Sequence, residues 1–294
     1  MSGRADAPVV RTHTLPTGPL AVATWSGASD PVLAVHGISS NNRLWLWLAD
    51  AAPGLTLVAP DLPGRGDSPP VGGPSSMATR ADHLVELMDD LGFERMHVLG
   101  MSLGGFVSSA LAARHPDRVR TITLVDGGLP MATIVQDREA MGARLRSQYG
   151  DSTAWPSSAA YAREYAANVA PLVDPTDPHL ADFLGHHLEH DAAGGRTRLD
   201  LDSVVDDGVD VFCTDSAAGH FAAVQAPVRL VWAPWGVGPG SAPMYAADHV
   251  QRCTQDHPAL RSAELVPDVD HAAIVMTSRG AQACARALEA NLAS

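Results

Sequence analysis

The sequence predicts an α/β protein: a mostly parallel central sheet with helices on both faces, plus an inserted helical segment. Three observations predict it. Short apolar runs alternate with stretches of helical spacing through the first half of the chain. Those runs lack the inside/outside alternation of a half-buried strand, as expected where both faces of a sheet are covered. The alternation stops near Gly127-Gly128 and resumes at Val228, and the interval between holds helix-like pieces.

Taken in order, Val32-Leu33-Ala34-Val35 is a compact apolar run that ends at His36-Gly37. Thr56-Leu57-Val58-Ala59 is a second, and it runs into the loop Pro60-Asp61-Leu62-Pro63-Gly64-Arg65-Gly66-Asp67-Ser68. Over residues 77–91, Leu84, Leu87, Met88 and Leu91 recur at helical spacing. Met96-His97-Val98-Leu99 follows, then a glycine-rich turn, then a helix to about His115, then the run Thr121-Ile122-Thr123-Leu124-Val125. From Leu129 to Phe221 no strand pairing is evident. Helix-like pieces at 134–149, 157–169 and 178–190 are broken by Pro, Gly and Asp. Val228-Arg229-Leu230-Val231-Trp232 restarts the alternation, which continues with a helix at 246–256, a strand at 263–266 and a last helix at 281–292. The expected division is a core of 1–128 and 222–294 with an inserted helical cap at 129–221.

Composition narrows the function. Of 294 residues, 46% are apolar and 18% charged, as in a soluble globular chain long enough to bury a full core. The formal net charge of -13 repels phosphate backbones, so no nucleic-acid partner is expected. No apolar run approaches the roughly 20 residues of a bilayer span, so no membrane partner is expected. Residues 1–14 lack the basic start and apolar stretch of a signal peptide, and the expectation is a cytoplasmic protein. The three cysteines, Cys213, Cys253 and Cys284, are scattered and suggest neither a disulfide framework nor a zinc knuckle. Lysine is absent, which excludes Schiff-base chemistry and a Walker-type phosphate loop.

The strongest chemical signal is Gly100-Met101-Ser102-Leu103-Gly104, between an apolar run and a helix. A serine at so tight a strand-to-helix turn is held in a strained conformation. Flanking glycines avoid collisions, and the helix start aims its amides at developing negative charge. A second signal is His36-Gly37-Ile38, directly after a buried strand. The strand ending at His36-Gly37, the loop from Asp61 to Ser68 and the elbow at Ser102 occur in the order and spacing of the α/β-hydrolase superfamily. The chain resembles that superfamily along essentially its whole length, and its inserted segment resembles the family's helical lid.

The resemblance implies a serine nucleophile, Ser102, with oxyanion-hole amides from Ile38 and Leu103. It places the base in a loop after the last strand, where Val266-Pro267-Asp268-Val269-Asp270-His271 supplies His271. Many relatives carry the acid after the strand that follows the lid, yet Trp232-Ala233-Pro234-Trp235-Gly236-Val237-Gly238 has no carboxylate before Asp248. A minority take it from the preceding strand end, which is Asp126 here. Asp126 is the choice and Asp248 the reserve, while Asp270 adjoins the base too closely. The implied reaction is cleavage of a carboxylic ester or lactone through an acyl-enzyme, needing no cofactor and no metal. Thioester, C–C bond and perhydrolase chemistry would use the same triad, and an aspartate-based dehalogenase or epoxide hydrolase would not use a serine. A non-catalytic binding scaffold is the alternative of another class. The partner is a small molecule, and a monomer and a homodimer are equally compatible. Candidates for substrate contact are His36, Met131, Trp155 and Trp235, with Tyr161, Tyr165 and Phe183 as further apolar groups of the insert. A rival site is His186-His187-Leu188-Glu189-His190, which matches the H-x-x-E-H pattern of inverted zinc peptidases if it is helical.

Overall fold

The computed structural model describes residues 6–150, 155–191 and 194–294. Its main sheet has eight strands: β1 (Val9–Leu15), β2 (Gly18–Trp25), β3 (Pro31–Val35), β4 (Thr56–Pro60), β5 (Met96–Met101), β6 (Val119–Val125), β9 (Val228–Trp232) and β10 (Leu260–Leu265). They lie in the order β1-β2-β4-β3-β5-β6-β9-β10. β1 and β2 form an antiparallel hairpin at one edge and β2 pairs antiparallel with β4, while every pair from β4 through β10 is parallel.

The central strands alternate sides, as a period of two requires. Val32 and Ala34 of β3 enter one core cluster, Leu33 and Val35 the other. The first cluster packs under α1 (Leu46–Ala51), α10 (Ala273–Met276) and α11 (Ser278–Leu292). The second packs under α2 (Met77–Asp90), α3 (Leu103–Arg114) and α8 (Ser216–Ala223), with α9 (Ala247–Asp256) against β10. Both faces are therefore dry, which is why the strands read as continuous apolar runs. α3 is buried along nearly its whole length.

Between β6 and β9 the chain forms α4 (Arg138–Gly150), α5 (Ser158–Asn168), α6 (Pro178–His187), a two-stranded hairpin of β7 (Leu188–Asp191) and β8 (Gly194–Thr197), and α7 (Leu201–Cys213) before α8. α7 is fastened to the start of α2 by carboxylates. Asp206 accepts from Ser75 N–H at 3.1 Å, Asp207 from the Ser75 hydroxyl at 2.8 Å and Asp210 from Met77 N–H at 2.8 Å. Anionic groups at a helix start satisfy free amides and complement its dipole.

Three differences from the sequence expectation stand out. The β1–β2 hairpin was not expected because β1 carries exposed polar residues and no apolar alternation. The β7–β8 hairpin replaces the end of the helix expected over 178–190. The last strand begins at Leu260 rather than at 263. Among the described residues no helix is long and apolar enough to cross a membrane.

Candidate active site

Ser102 links β5 to α3 with φ 53° and ψ −120°. For a residue with a Cβ such a conformation costs about 1–3 kcal/mol and persists only where packing enforces it. The enforcement is visible. A Cβ at Gly104 would collide with the carbonyls of Val35 and His36, and one at Gly127 would stand 2.6 Å from Ser102 Cα. Ser102 N–H donates to Val125 at 3.0 Å, prolonging the β5–β6 ladder past the strand end. Leu103 opens α3, so its amide is among the first-turn donors that find no partner within a helix.

Asp126 directly follows β6, and His271 lies in the loop between β10 and α10. The structure brings the two together: His271 Nδ1 is 2.6 Å from Asp126 Oδ2. The Asp126 carboxylate is fully buried, and its second oxygen accepts from Ala233 N–H at 3.2 Å. Asp126 also has a positive φ of 43°, so two strained residues sit at adjacent strand ends. The reserve candidate Asp248 lies on the surface of α9, paired with Arg252 at 2.7 Å. Asp270 is a loop organiser. Its oxygens accept from Gly238, Ala272 and Ala273 N–H groups at 2.8 to 3.1 Å. His271 N–H donates to Gly236 at 2.9 Å, which anchors the loop from the other side.

Ile38 follows Gly37, which packs against Ser102; a Cβ there would come within 3.4 Å of the Ser102 Cβ. His36 organises this loop and does not face the cavity, which corrects its place among the substrate contacts. Its ring is fully buried. Leu62 N–H donates to Nε2 at 2.9 Å, so Nδ1 carries the hydrogen and donates to the Gly37 carbonyl at 2.7 Å. That carbonyl shares its peptide plane with the Ile38 N–H. Burial lowers the His36 pKa from 6.5 to about 4, and burial does the same to His187.

These two imidazoles predict acid sensitivity. The unfolded chain binds their protons near 6.5 and the folded chain resists until about 4. Their contribution is therefore complete above the unfolded pKa and is lost as pH falls toward the folded one. Urea unfolding is expected to show about 2 kcal/mol less stability per imidazole at about pH 5 than at about pH 7. An unchanged stability over that interval would contradict two buried neutral rings.

Ser102 and His271 line a cavity of about 530 Å³ together with Ile38, Tyr149, Trp155 and Tyr165. Trp155 and Tyr161 rings meet at 5.1 Å, and Tyr161 and Tyr165 at 6.0 Å. His187 also lines the cavity, with Nδ1 2.8 Å from the Tyr161 hydroxyl. Of the four expected contacts His36, Met131, Trp155 and Trp235, Trp155 alone lies on this wall. Met131 packs into the core cluster beneath α3, and the Trp235 backbone bridges to Asp270. Tyr161 and Tyr165 do line the cavity, whereas Phe183 is fully buried behind Tyr165. Tyr149 was not singled out in sequence because it carries no local motif, and His187 entered only as an unassigned position within the zinc-peptidase stretch.

The zinc-peptidase pattern does not survive folding. α6 ends at His187 and the chain continues as strand β7, so the helical spacing it needs is absent. The side chain of His190 lies outside the described residues. His186 Nε2 instead meets Asp61 Oδ2 at 2.9 Å. Asp61, Asp67 and His186 bring ligand-type atoms within 4.8 Å of one another. Those atoms are already engaged: Asp61 accepts from Asn42 and Asp67 N–H groups, and Asp67 pairs with Arg198.

Residues 30–188, just over half of the chain, match the family model described as alpha/beta hydrolase fold. The chain belongs to the α/β-hydrolase fold family. Among curated proteins, this α/β hydrolase is 38% identical over 102 residues to lipase LipV of Mycobacterium tuberculosis, covering 34% of this chain and 39% of that one. It is 34% identical over 105 residues to 2-hydroxymuconate semialdehyde hydrolase of a Pseudomonas species, covering 34% and 37%. The chain thus spans well under half the length of the curated relatives it matches. The solved structure of E-2-(acetamidomethylene)succinate hydrolase superposes with a TM-score of 0.80 over 96% of this chain and 99% of that one, at 20% identity. That last likeness is one of fold.

Proposed function

We propose that this α/β hydrolase is a serine hydrolase that cleaves a carboxylic ester or lactone of a small to medium, largely apolar substrate. The observation that carries the reading is the 2.6 Å contact between His271 Nδ1 and the fully buried Asp126 carboxylate, at the cavity that Ser102 lines. His271 takes the Ser102 proton as the hydroxyl attacks the carbonyl carbon. Asp126 holds the imidazole tautomer and stabilises the imidazolium, and the amides of Ile38 and Leu103 receive the oxyanion. His271 then protonates the leaving alcohol, and water repeats the sequence to release the acid. The inserted segment acts as a lid, since it supplies Tyr149, Trp155, Tyr161 and Tyr165 to the cavity wall while the core supplies the triad. A volume of about 530 Å³ suits a substrate of modest size. The proposed chemistry calls for no cofactor.

The first test is labelling with a fluorophosphonate, followed by peptide mapping. Stoichiometric attachment at Ser102 is expected. A folded protein that takes no label would favour a non-catalytic scaffold. A screen of esters, lactones, thioesters and vinylogous diketones then separates the bond types this triad serves. Turnover of long-chain triglycerides alone would contradict the substrate size. Trp155→Ala is expected to lower kcat/KM for an aromatic ester by roughly 10- to 200-fold, the range that a single methylene in an apolar pocket already commands. An unchanged value would remove Trp155 from the substrate site.

A further inference from the structure

Arg65 has no exposed surface, and neither has the carboxylate of Asp207, the group it meets. Taking a guanidinium out of water costs several kcal/mol, and apolar residues of similar volume often serve a core as well. Pairing with Asp207 does not by itself account for it. Arg80, also buried, engages the same carboxylate at 3.1 Å, so one anion faces two cations. Arg80 alone would neutralise Asp207. What Arg65 adds is a fork of directed bonds. Its Nε donates to the Ile38 carbonyl at 3.0 Å and its Nη1 to the Pro63 carbonyl at 3.1 Å, while Nη2 closes an ion pair with Asp207 Oδ2 at 2.7 Å.

The Ile38 bond is the informative one. His36 holds the peptide plane between Gly37 and Ile38, through the Gly37 carbonyl. Arg65 holds the next plane, between Ile38 and Ser39, through the Ile38 carbonyl. With a bond on each of the two planes that flank the Ile38 Cα, rotation of its backbone is restrained from both sides, and with it the direction of its N–H. Asp207 lies on α7, within the segment inserted between β6 and β9. The rod that steadies the loop is therefore anchored in the insert and not in the sheet.

We propose that Arg65 is a positioning residue for the oxyanion hole, fixing the Ile38 amide through the Ile38 carbonyl while Asp207 of the inserted segment holds it. The proposal rests on the serine-hydrolase reading, in which the Ile38 N–H receives the oxyanion. It makes seating of the insert a condition for a complete oxyanion hole, and not merely for a covered cavity. A guanidinium is required because only its planar fork can serve a carboxylate and two carbonyls at once.

The test compares Arg65→Met, Arg65→Lys and wild type, each titrated with a fluorophosphonate so that kcat is expressed per reactive serine. Arg65→Met leaves Asp207 paired with Arg80. Arg65→Lys keeps the charge and so guards against simple misfolding. Both variants are expected to lose roughly 10²–10³ in kcat per titrated site, as on loss of an oxyanion donor. KM and the affinity for the product acid should stay within a few-fold, and binding of a boronic-acid transition-state analogue should weaken in step with kcat. A merely structural arginine would lower the melting temperature and the titre of reactive serine but leave kcat per site unchanged. That outcome overturns the proposal, as does a lysine variant with wild-type kcat. If wild type itself neither labels nor turns over an ester, the serine-hydrolase reading fails first and the proposal falls with it.

Discussion

Ser102→Ala is expected to reduce kcat by about 10⁶, His271→Ala by a similar factor, and the double variant by no more than either alone. The non-additivity is the informative part. A nucleophile and its base act as one unit, so removing the hydroxyl leaves the imidazole nothing to deprotonate. The residual rate above water, about 10³–10⁴, comes from the oxyanion donors and binding. Stability should move the other way at the same position. Ser102 is held at φ 53°, a conformation that glycine accepts without penalty. Ser102→Gly is therefore expected to abolish turnover while raising unfolding free energy by about 1 kcal/mol or more. Steady-state kinetics on a neutral ester and urea unfolding of the same preparations check both halves. Retention of more than about a hundredth of the wild-type kcat in Ser102→Ala would contradict an acyl-enzyme.

How much of this site was legible in the chain depends on how locally each part is written. The elbow was legible because a strained serine must be flanked by residues that tolerate close approach, and Gly100 and Gly104 declare it within five positions. Asp126 was placed by the plain apolar run of β6 that it ends, and His271 by chain order alone, since β10 carries Arg261, Ser262 and Glu264 and shows no such run. The β1–β2 hairpin was not read. β1 lies at the sheet edge, mostly exposed and without a core-facing pattern; the signals missed were the short buried apolar run Leu20–Ala23 of β2 and the turn at Pro16-Thr17-Gly18. The insert defeated reading more thoroughly. Its helix at 178–190 was expected to continue through His190, but the chain turns into β7, and the apparent zinc pattern dissolved with the helix. His36 was counted among the substrate contacts although its imidazole read better as an organiser of the loop, and both its ring nitrogens are indeed spent on the backbone. Arg65 and Asp207 are 142 positions apart, and no local motif links them; only the seating of α7 on the core creates the pair.

Asp126→Asn is expected to lower kcat by about 10⁴ with little change in KM. The two bonds of this carboxylate explain why an isosteric change should cost so much. Oδ1 accepts from Ala233 N–H at 3.2 Å, and Oδ2 faces His271 Nδ1 at 2.6 Å. An asparagine must keep its carbonyl on the Ala233 amide, because that N–H is buried and needs an acceptor. Its NH₂ group is then forced toward His271 Nδ1, which turns Nδ1 into the acceptor and leaves the proton on Nε2. An imidazole protonated at Nε2 cannot take the Ser102 proton, so geometry survives while catalysis does not. Asp248→Asn provides the contrast: that carboxylate is exposed and bonded to Arg252, so kcat should stay near wild type. Asp270→Asn should lower the melting temperature by loosening the loop that carries His271, with a smaller loss in kcat than at Asp126, because it touches no ring nitrogen. Full activity in Asp126→Asn together with loss in Asp248→Asn would move the acid to α9 and require a different closed arrangement of the site. The opposite pattern ties the acid to the end of β6, where a positive φ, a buried carboxylate and the His271 ring already coincide.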